Sequence, residues 1–375
     1  MISLSAIIER FAPDYLRQYS AASLPSHTQA LAAMPRCRTP MAPRLLAQCG
    51  AGGEQRVVPH SCGHRNCPHC PHHERQAWIE RQLARPVPAS YCMLTFTVPA
   101  ELRAIAWQNQ SWFYAKLFDC AWETGNDFSH HDKQLQGNPG AVAVLHTHSR
   151  RLDYHPQVQL VMPAAALDAQ HNLWRTQCAK ASNGKGCDQP YWFKHKALAK
   201  VFRAKWLAAI PLEGWVLPAR WPEKWVVDCK CVGSAEKALV YLGRYLYRGV
   251  IQEKDILRGE DGQVTFRYRD AKTDTMPVRT LSGAALLWLL LQHVLPKGFR
   301  RARNFGCLHP NSKRLITLLH LVLKVVPSAV QAGVKPRPTL RCPCGGAAMQ
   351  IVRRRMCPPA PGREPDATLA GVAML

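Results

Sequence analysis

Acidic side chains are scarce in this sequence: 25 aspartates and glutamates stand against 49 lysines and arginines in 375 residues, a formal charge of +24. A surplus of that size is best neutralised by a polyanion, which releases its condensed counterions on contact, so nucleic acid is the expected partner. Long apolar runs are also missing. The longest, Ala284 to Leu291, is interrupted by Gln292 and His293, and a membrane-spanning helix needs roughly 18 such residues. The opening stretch MISLSAIIERFAPDYL carries Glu9, Arg10 and Asp14, which excludes the uncharged apolar segment of a secretory signal. No internal repeat or low-complexity tract is found, so a repeat array is excluded. Without an export signal the chain is expected in a reducing cytosol.

Cysteine, by contrast, is plentiful, with 15 in the chain. In a reducing compartment these are not a disulfide framework, and clustered thiols point to metal. In HSCGHRNCPHC, Cys62, Cys67 and Cys70 fall within nine positions, with Cys37 and Cys49 ahead of them. Cys67-Pro-His-Cys70 has the two-residue spacing that lets two thiolates reach one tetrahedral Zn²⁺. The remaining ligands come from Cys49, Cys62, His64 or Cys37, and His60, His69, His72 and His73 are spare candidates. The set Cys49, Cys62, Cys67 and Cys70 is the reading adopted. A further group, Cys342-Pro-Cys344 with Cys357, is poorer: its spacing is tight and it offers three thiols.

Periodicity supplies the coarse organisation. Residues 1–36 read as short helices with Ile7, Ile8, Phe11 and Tyr15 at helical spacing. YCMLTFTV from Tyr91 reads as a strand ended by Pro99, and Leu102 to Glu123 as one amphipathic helix. AVAVLHTHS and VQLVMP are strands joined by a turn near Asp153 to Pro156. HKALAKVFRAKWLAAI is a basic amphipathic helix, KWVVDCKCV a strand, EKALVYLGRYLYRGVI a helix, and GQVTFRYRD a hairpin strand. ASNGKGCDQP is a loop, the C-terminal 40 or so residues are rich in Pro and Arg, and their last stretch, PPAPGREPDATLAGVAML, reads as disordered. The order suggests an α+β protein with an antiparallel sheet and helices on one face. Three regions follow: 1–90 helical and zinc-binding, 91–310 the sheet domain, and 311–375 a basic tail.

Two features carry chemistry. In Tyr154-His155-Pro156-Gln157-Val158-Gln159-Leu160, positions 157 and 159 share one face of a strand. On the next predicted helix, Tyr241 and Tyr245 are four apart, so they lie on one helical face with Cβ atoms roughly 6 Å apart. A phenol is a weak nucleophile near its ordinary pKa of about 10. Arg244, Arg248 and Lys237 are placed to stabilise phenolate and phosphate alike. Lys297, Arg300, Arg301 and Arg303, interleaved with Phe299 and Phe305, have the composition of a groove that tracks a nucleic-acid backbone.

From about Cys37 to about residue 345, the zinc cluster, the YHP-x-V-x-L strand and the Tyr-x₃-Tyr helix together resemble the rolling-circle transposases of the two-tyrosine HUH endonuclease superfamily. The ISCR (insertion-sequence common region) type is the nearest in pattern. The resemblance implies an HUH-type nuclease core preceded by a small zinc-binding domain. It implies a bacterial, nucleoid-associated protein that binds single-stranded and element-end DNA. It also implies a His-hydrophobic-His pair binding Mg²⁺ or Mn²⁺, and attack by tyrosine on a phosphate to leave a 5′-phosphotyrosine and a free 3′-OH. Here that pair reads Gln157-Val158-Gln159. Two neutral amides replace both imidazoles, so a weakened divalent-metal site is expected, with His146, His148 and His155 as the nearby side chains able to compensate. The rival readings are a zinc-containing DNA-binding protein without chemistry and an RNA-binding zinc-ribbon factor.

Overall fold

The computed structural model describes residues 2–70, 72–168, 170, 173–176, 193–210, 220–223, 225–246, 250–270, 273–325 and 339–356. Along the chain the helices and strands are α1 (Leu4–Tyr19), α2 (Pro25–Ala33), β1 (Arg44–Cys49), β2 (Gln55–Pro59), α3 (His72–Leu83) and β3 (Tyr91–Thr97). There follow α4 (Arg103–Gln108), α5 (Gln110–His131), β4 (Gly140–His148), β5 (Tyr154–Pro163), β6 (Ala165–Asp168), β7 (Leu173–Thr176), α6 (His195–Ala209), β8 (Val226–Gly233) and α7 (Ala235–Leu246). The last are β9 (Ile256–Glu260), β10 (Gln263–Arg267), β11 (Val278–Ser282), α8 (Gly283–Leu291), β12 (Ala302–Gly306), α9 (Lys313–Val322) and β13 (Met349–Met356). The fold is α+β with antiparallel sheets, as the patterning predicts. No helix among the described residues is long and apolar enough to cross a membrane.

The chain divides into two compact units, and the division is interleaved. One unit gathers Met1–His73, Arg248–Val294 and Val334–Leu375; the other gathers Glu74–Tyr247 and Leu295–Gly333. The interleaving runs across residues 90 and 310. The cause is long-range pairing, since β13 lies against β1 and α8 packs on α1. Such partners cannot be read from local composition.

In the first unit, Ser3 caps α1, its Oγ accepting the Ala6 N–H at 3.2 Å, and Ile7, Ile8, Phe11 and Tyr15 are buried along one stripe. Ser282 caps α8 in the same way. The two helices meet at Gly283, where an added Cβ would fall 2.1 Å from the Phe11 ring, so glycine sets the approach. Leu4 N–H donates to Glu253 Oε1 at 2.8 Å and Arg10 Nη1 to the Gly259 carbonyl at 2.6 Å. Strands β9, β10 and β11 form a meander. Its first turn, Asp261-Gly262, has φ of +52° and +73°, the left-handed pair a two-residue hairpin of this type requires.

His27 lies fully buried between α1 and α8. Its Nδ1 is 3.2 Å from the Tyr15 hydroxyl, and its ring meets Trp288 edge to face with centroids 6.2 Å apart. Burial pushes its pKa down to about 4, below the roughly 6.5 of an exposed imidazole. A depressed folded-state value means that folding favours the neutral ring. The stability this contributes is complete above about pH 6.5 and is lost as pH falls through about 4, a difference of about 3 kcal/mol. An NMR titration of ring-labelled His27 is expected to show no protonation between pH 7 and about 5. A midpoint near 6.5 would contradict this burial.

The second unit holds a five-stranded antiparallel sheet in the order β12-β4-β5-β3-β8, with β6 and β7 as a small separate hairpin. Leu145, Val158, Leu160 and Met162 face α4, α5 and α6. Val142, Val144 and Val161 face the other way, against α7, α3 and α9. Helices therefore cover both faces, a correction to the single covered face expected from sequence. The reason is visible in β4, which is buried along nearly its whole length, as a strand sandwiched between two layers must be. The predicted helix from Leu102 to Glu123 is broken at Asn109, with φ −126° and ψ 41°. The Asn109 side chain bonds the Ile105 carbonyl at 3.3 Å instead, the local competition that makes Asn a poor interior helix residue. The predicted loop 181–190 lies outside the described residues, as does the last stretch, 358–375.

Candidate functional site

After α2 the chain turns through Arg38 at φ +59° and reaches the β1–β2 hairpin. Arg44 pairs with Pro59 and Gln48 with Gln55, so the segments before β1 and after β2 emerge together. Cys37 precedes the hairpin and Cys62 follows it. The knuckle 67–70 closes with Cys67 N–H on the His64 carbonyl at 3.1 Å and Cys70 N–H on the Cys67 carbonyl at 3.4 Å. The Sγ atoms of Cys37, Cys62, Cys67 and Cys70 all lie within 4.8 Å of one another. Cys70 is 3.3 Å from Cys37 and 3.4 Å from Cys62. A tetrahedral zinc with Zn–S bonds of about 2.3 Å would set its sulfurs about 3.8 Å apart, so the tetrad fits zinc with small adjustments. The Cys62 and His64 N–H groups point at the sulfurs of Cys37 and Cys62, at 3.5 and 3.4 Å, which supports thiolate charge. Hydrogen bonds from the thiols of Cys62 and Cys67 hold the Cys70 thiol well below its ordinary range. Cys67 is pushed up by its bonds to Cys62 and Cys70. These are protons a divalent cation would displace.

Cys49 is not part of this tetrad; Cys37 takes the place the sequence reading gave it. Cys49 ends β1, at the opposite end of the hairpin from the knuckle. At about 3.3 Å per residue the strand carries it roughly 16 Å away. There its Sγ lies 3.7 Å from that of Cys344. Cys357, and the side chains of His72 and His73, lie outside the described residues. His64 is occupied otherwise, its Nδ1 accepting the Asn66 N–H at 3.3 Å.

The second site is on the α7 face of the sheet. On β5, Gln157 pairs with Thr97 of β3 and His146 of β4, and Gln159 pairs with Thr95 and Val144. Directly opposed residues share a face, so His146, Gln157 and Gln159 point toward the layer that holds α7. His146 is 2% exposed and Gln159 7%. The Nε2 of His146 and the Oε1 of Gln159 are buried with no hydrogen-bond partner among the described residues. Burial, then the nearby Arg301 cation, push the His146 ring well below its ordinary pKa, so it stays neutral.

Helix α7 places Tyr245 over this patch. Its ring stacks on His146 with centroids 3.5 Å apart and planes 7° from parallel. Its hydroxyl lies 3.3 Å from both ring nitrogens of His148. Arg301 completes the arrangement, with its guanidinium 5.7 Å from the Tyr245 ring centre. The helix can sit this close because Gly243 faces α3, where a Cβ would meet Ile79 at 2.3 Å. Tyr241, one turn earlier, is 50% exposed. The two tyrosines thus share a helix but occupy different surroundings: one is seated on histidines, the other faces solvent.

The remaining predicted residues divide. His155 turns to α4, where its Nδ1 accepts from Arg103 at 2.9 Å; burial and that cation push its pKa down. Lys297 and Arg300 are exposed, as a phosphate-binding surface needs. Arg301 is instead 8% exposed, with Nε on the Leu145 carbonyl at 3.1 Å and Nη1 on the Leu246 carbonyl at 3.3 Å. It is an internal brace rather than a surface contact. Arg303 lies over Phe118 at 4.6 Å and pairs with Asp119 at 3.6 Å, so its charge is engaged within the fold. The side chains of Arg244 and Arg248 fall outside the description. Sequence reasoning offered His148 only as a compensating metal ligand; its place against the Tyr245 hydroxyl emerges from the pairing of β4 with β5.

The residues that would hold Mg²⁺ or Mn²⁺ on this face are two neutral amides and a buried neutral imidazole. The second imidazole on this face, His148, is engaged with the Tyr245 hydroxyl. No carboxylate joins the set among the described contacts, and hard divalent cations favour charged oxygen donors. The donor set does not fit the ion the resemblance implies.

Two family descriptions match the chain: a transposase zinc-binding domain over residues 7–98 and a "Putative transposase" domain over residues 140–315. The tetrad lies inside the first, and Gln157, Gln159 and both tyrosines inside the second. The chain is similar to "Putative transposase y4qJ" of Sinorhizobium fredii (strain NBRC 101917 / NGR234), 28% identical over 80% of this chain and 79% of that protein. It is also similar to the "Transposase for insertion sequence element IS801" of Pseudomonas savastanoi pv. phaseolicola, 29% identical over 66% of this chain and 64% of that protein. No solved structure matches. The cysteine tetrad falls inside the zinc-binding match, and β4, β5 and the tyrosine helix inside the transposase match, so the chain carries in succession the two domains described for transposases.

Proposed function

We propose that the chain is a two-tyrosine transposase that nicks and rejoins single-stranded DNA at element ends, and that cutting is slow in this copy because Gln157 and Gln159 stand in the metal-binding strand. The observation that carries this reading is the seating of Tyr245 on His146 with its hydroxyl against His148. His148, 3.3 Å from the Tyr245 hydroxyl, takes the phenolic proton when its ring is unprotonated. The Tyr245 oxygen then attacks phosphorus, the bond from phosphorus to the 3′-oxygen breaks, and a proton from water completes the free 3′-OH. The 5′-phosphate stays on the tyrosine until a 3′-OH reverses the exchange. Lys297 and Arg300 supply exposed positive charge for the strand. Tyr241, four residues away, is the second nucleophile. The protein works in the bacterial cytoplasm at the nucleoid, and regions 1–90 and 91–310 divide zinc binding from cutting.

The test is a covalent adduct between protein and single-stranded element-end DNA on a denaturing gel. Tyr245→Phe is expected to lower first-strand adduct by at least about 100-fold, since no oxygen nucleophile remains at His148. Tyr241→Phe is expected to leave that first adduct and lose the strand exchange that follows. Equal adduct in wild type and Tyr245→Phe would overturn the assignment. The glutamines also favour a second reading, a DNA-binding protein without chemistry. Salt-dependent binding with no adduct, even after histidines are restored at 157 and 159, would support that one.

A further inference from the structure

We propose that Cys49, Cys342 and Cys344 form a second zinc site, separate from the Cys37–Cys70 tetrad, which fastens the C-terminal strand to the N-terminal hairpin. The inference holds whether or not the chain cuts DNA. The three Sγ atoms lie within 4.8 Å of one another, with Cys49 to Cys344 at 3.7 Å and Cys342 to Cys344 at 2.8 Å. Cys49 and Cys342 are buried, and Cys344 is exposed.

Each thiol group is presented by a tight turn. At Cys49, the Cys49 N–H donates to the Glu54 carbonyl at 2.8 Å and Gly53 N–H returns to the Cys49 carbonyl at 3.1 Å. At Cys342, the Cys342 N–H donates to the Ala347 carbonyl and Gly346 N–H to the Cys342 carbonyl, both at 2.9 Å. Gly53 and Gly346 sit at φ +65° and +74°, the left-handed conformation that lets a chain wrap back on a metal. Two such loops facing each other are how paired knuckles hold zinc. Beneath them Ala47 and Met349, with Leu45, Leu340 and Ala347 packed against them, make a small apolar floor.

The fourth position explains why the sequence hides the site. Three residues past Cys49, where a knuckle places its second thiolate, stands Gly52. A Cβ built there would lie 3.6 Å from Cys344 Sγ and 3.9 Å from its Cβ, so the position points at the cluster. Glu54, whose Oε2 accepts from the Cys342 thiol at 3.0 Å, stands beside the cluster but outside its mutual 4.8 Å spacing, and would have to swing in to fill that position. Three thiolates and one carboxylate select zinc over the hard cations. Binding ties β1 to β13 across most of the chain, the kind of long loop whose closure is most costly in entropy.

Zinc in the full-length protein, purified under reducing conditions, is counted by release with a thiol-blocking mercurial. Two ions per chain are expected, falling to one in Cys342→Ser and in Cys344→Ser. Cobalt substitution gives an independent readout, because the thiolate charge-transfer band should drop from all seven sulfurs to the four of the tetrad. Because removing either thiol can also disturb folding, Gly52→Cys is the gain-of-function arm. It should keep two ions and slow release of the weaker one to a chelator by about 10-fold, a fourth thiolate having joined it. One ion per chain in wild type and in Gly52→Cys would overturn the proposal. So would two ions that survive both serine changes, or a Cys49–Cys344 disulfide in the reduced protein.

Discussion

Zinc removal from the Cys37–Cys62–Cys67–Cys70 tetrad is expected to melt the segment from Met34 to Cys70 and to lower the first unit's thermal transition by about 10 °C or more. The segment from His60 to Cys70 has almost nothing else holding it, for Cys67 is its one buried residue. A structural zinc is worth about 10–16 kcal/mol in small zinc-binding domains, against a typical total stability of 5–15 kcal/mol for a whole domain. No hydrophobic packing in the knuckle can offset such a loss. The packing of α1 on α8 does not depend on the metal, so the unit is expected to lose this segment rather than unfold completely. Limited trypsin digestion of chelated protein, or of Cys67→Ser, should open cuts at Arg36, Arg38, Arg56 and Arg65. The five-stranded sheet of the other unit should stay resistant. Acid acts in the same direction, because protons compete for the thiolates. A chelated protein that keeps its digestion pattern and its transition would show that the tetrad contributes no stability through metal.

Local pattern made much of the fold legible. The strand at Tyr91, the basic helix from His195 and the tyrosine helix are where their periodicity puts them, because each buries one face on a sheet. Pairing between distant segments was not legible. Nothing in MQIVRRRM indicates that it lies against RLLAQC, and without that register Cys49 reads as a partner of Cys62. The hairpin β1–β2 contained the answer in part: a residue at the far end of a strand cannot share a metal with residues beyond the near end. The candidate site follows the same rule. That His146 and His148 share a face is a sequence fact, but their placement beneath Tyr245 needs both the β4–β5 register and the layer in which α7 lies. In KGFRRARNF the arginines look alike. Only burial separates Arg301, which braces two backbone carbonyls beside the tyrosine, from exposed Arg300.

Restoring histidine at both positions, Gln157→His with Gln159→His, is expected to raise the rate of adduct formation by at least about 100-fold in Mg²⁺ or Mn²⁺. A metal polarising the scissile phosphate contributes several kcal/mol, and each 1.4 kcal/mol is about tenfold in rate. The positions are suited to the change. They are two apart on β5 and face the layer of Tyr245, with Thr97 and His146 beside one and Thr95 and Val144 beside the other. Glutamine and histidine are similar in reach, and Gln159 already carries a buried oxygen that no described residue satisfies. The exchange therefore adds no new unmet group, and stability should change by less than about 1 kcal/mol. The gain should require both histidines, because one imidazole and one amide still leave a weak neutral pair. It should also vanish on Tyr245→Phe, which leaves the metal site intact and removes the nucleophile. A double variant that binds DNA and divalent metal yet forms adduct no faster than the native chain would separate the tyrosine from this face of the sheet. In that case His146, stacked 3.5 Å beneath the Tyr245 ring, would be packing rather than the remains of a catalytic floor.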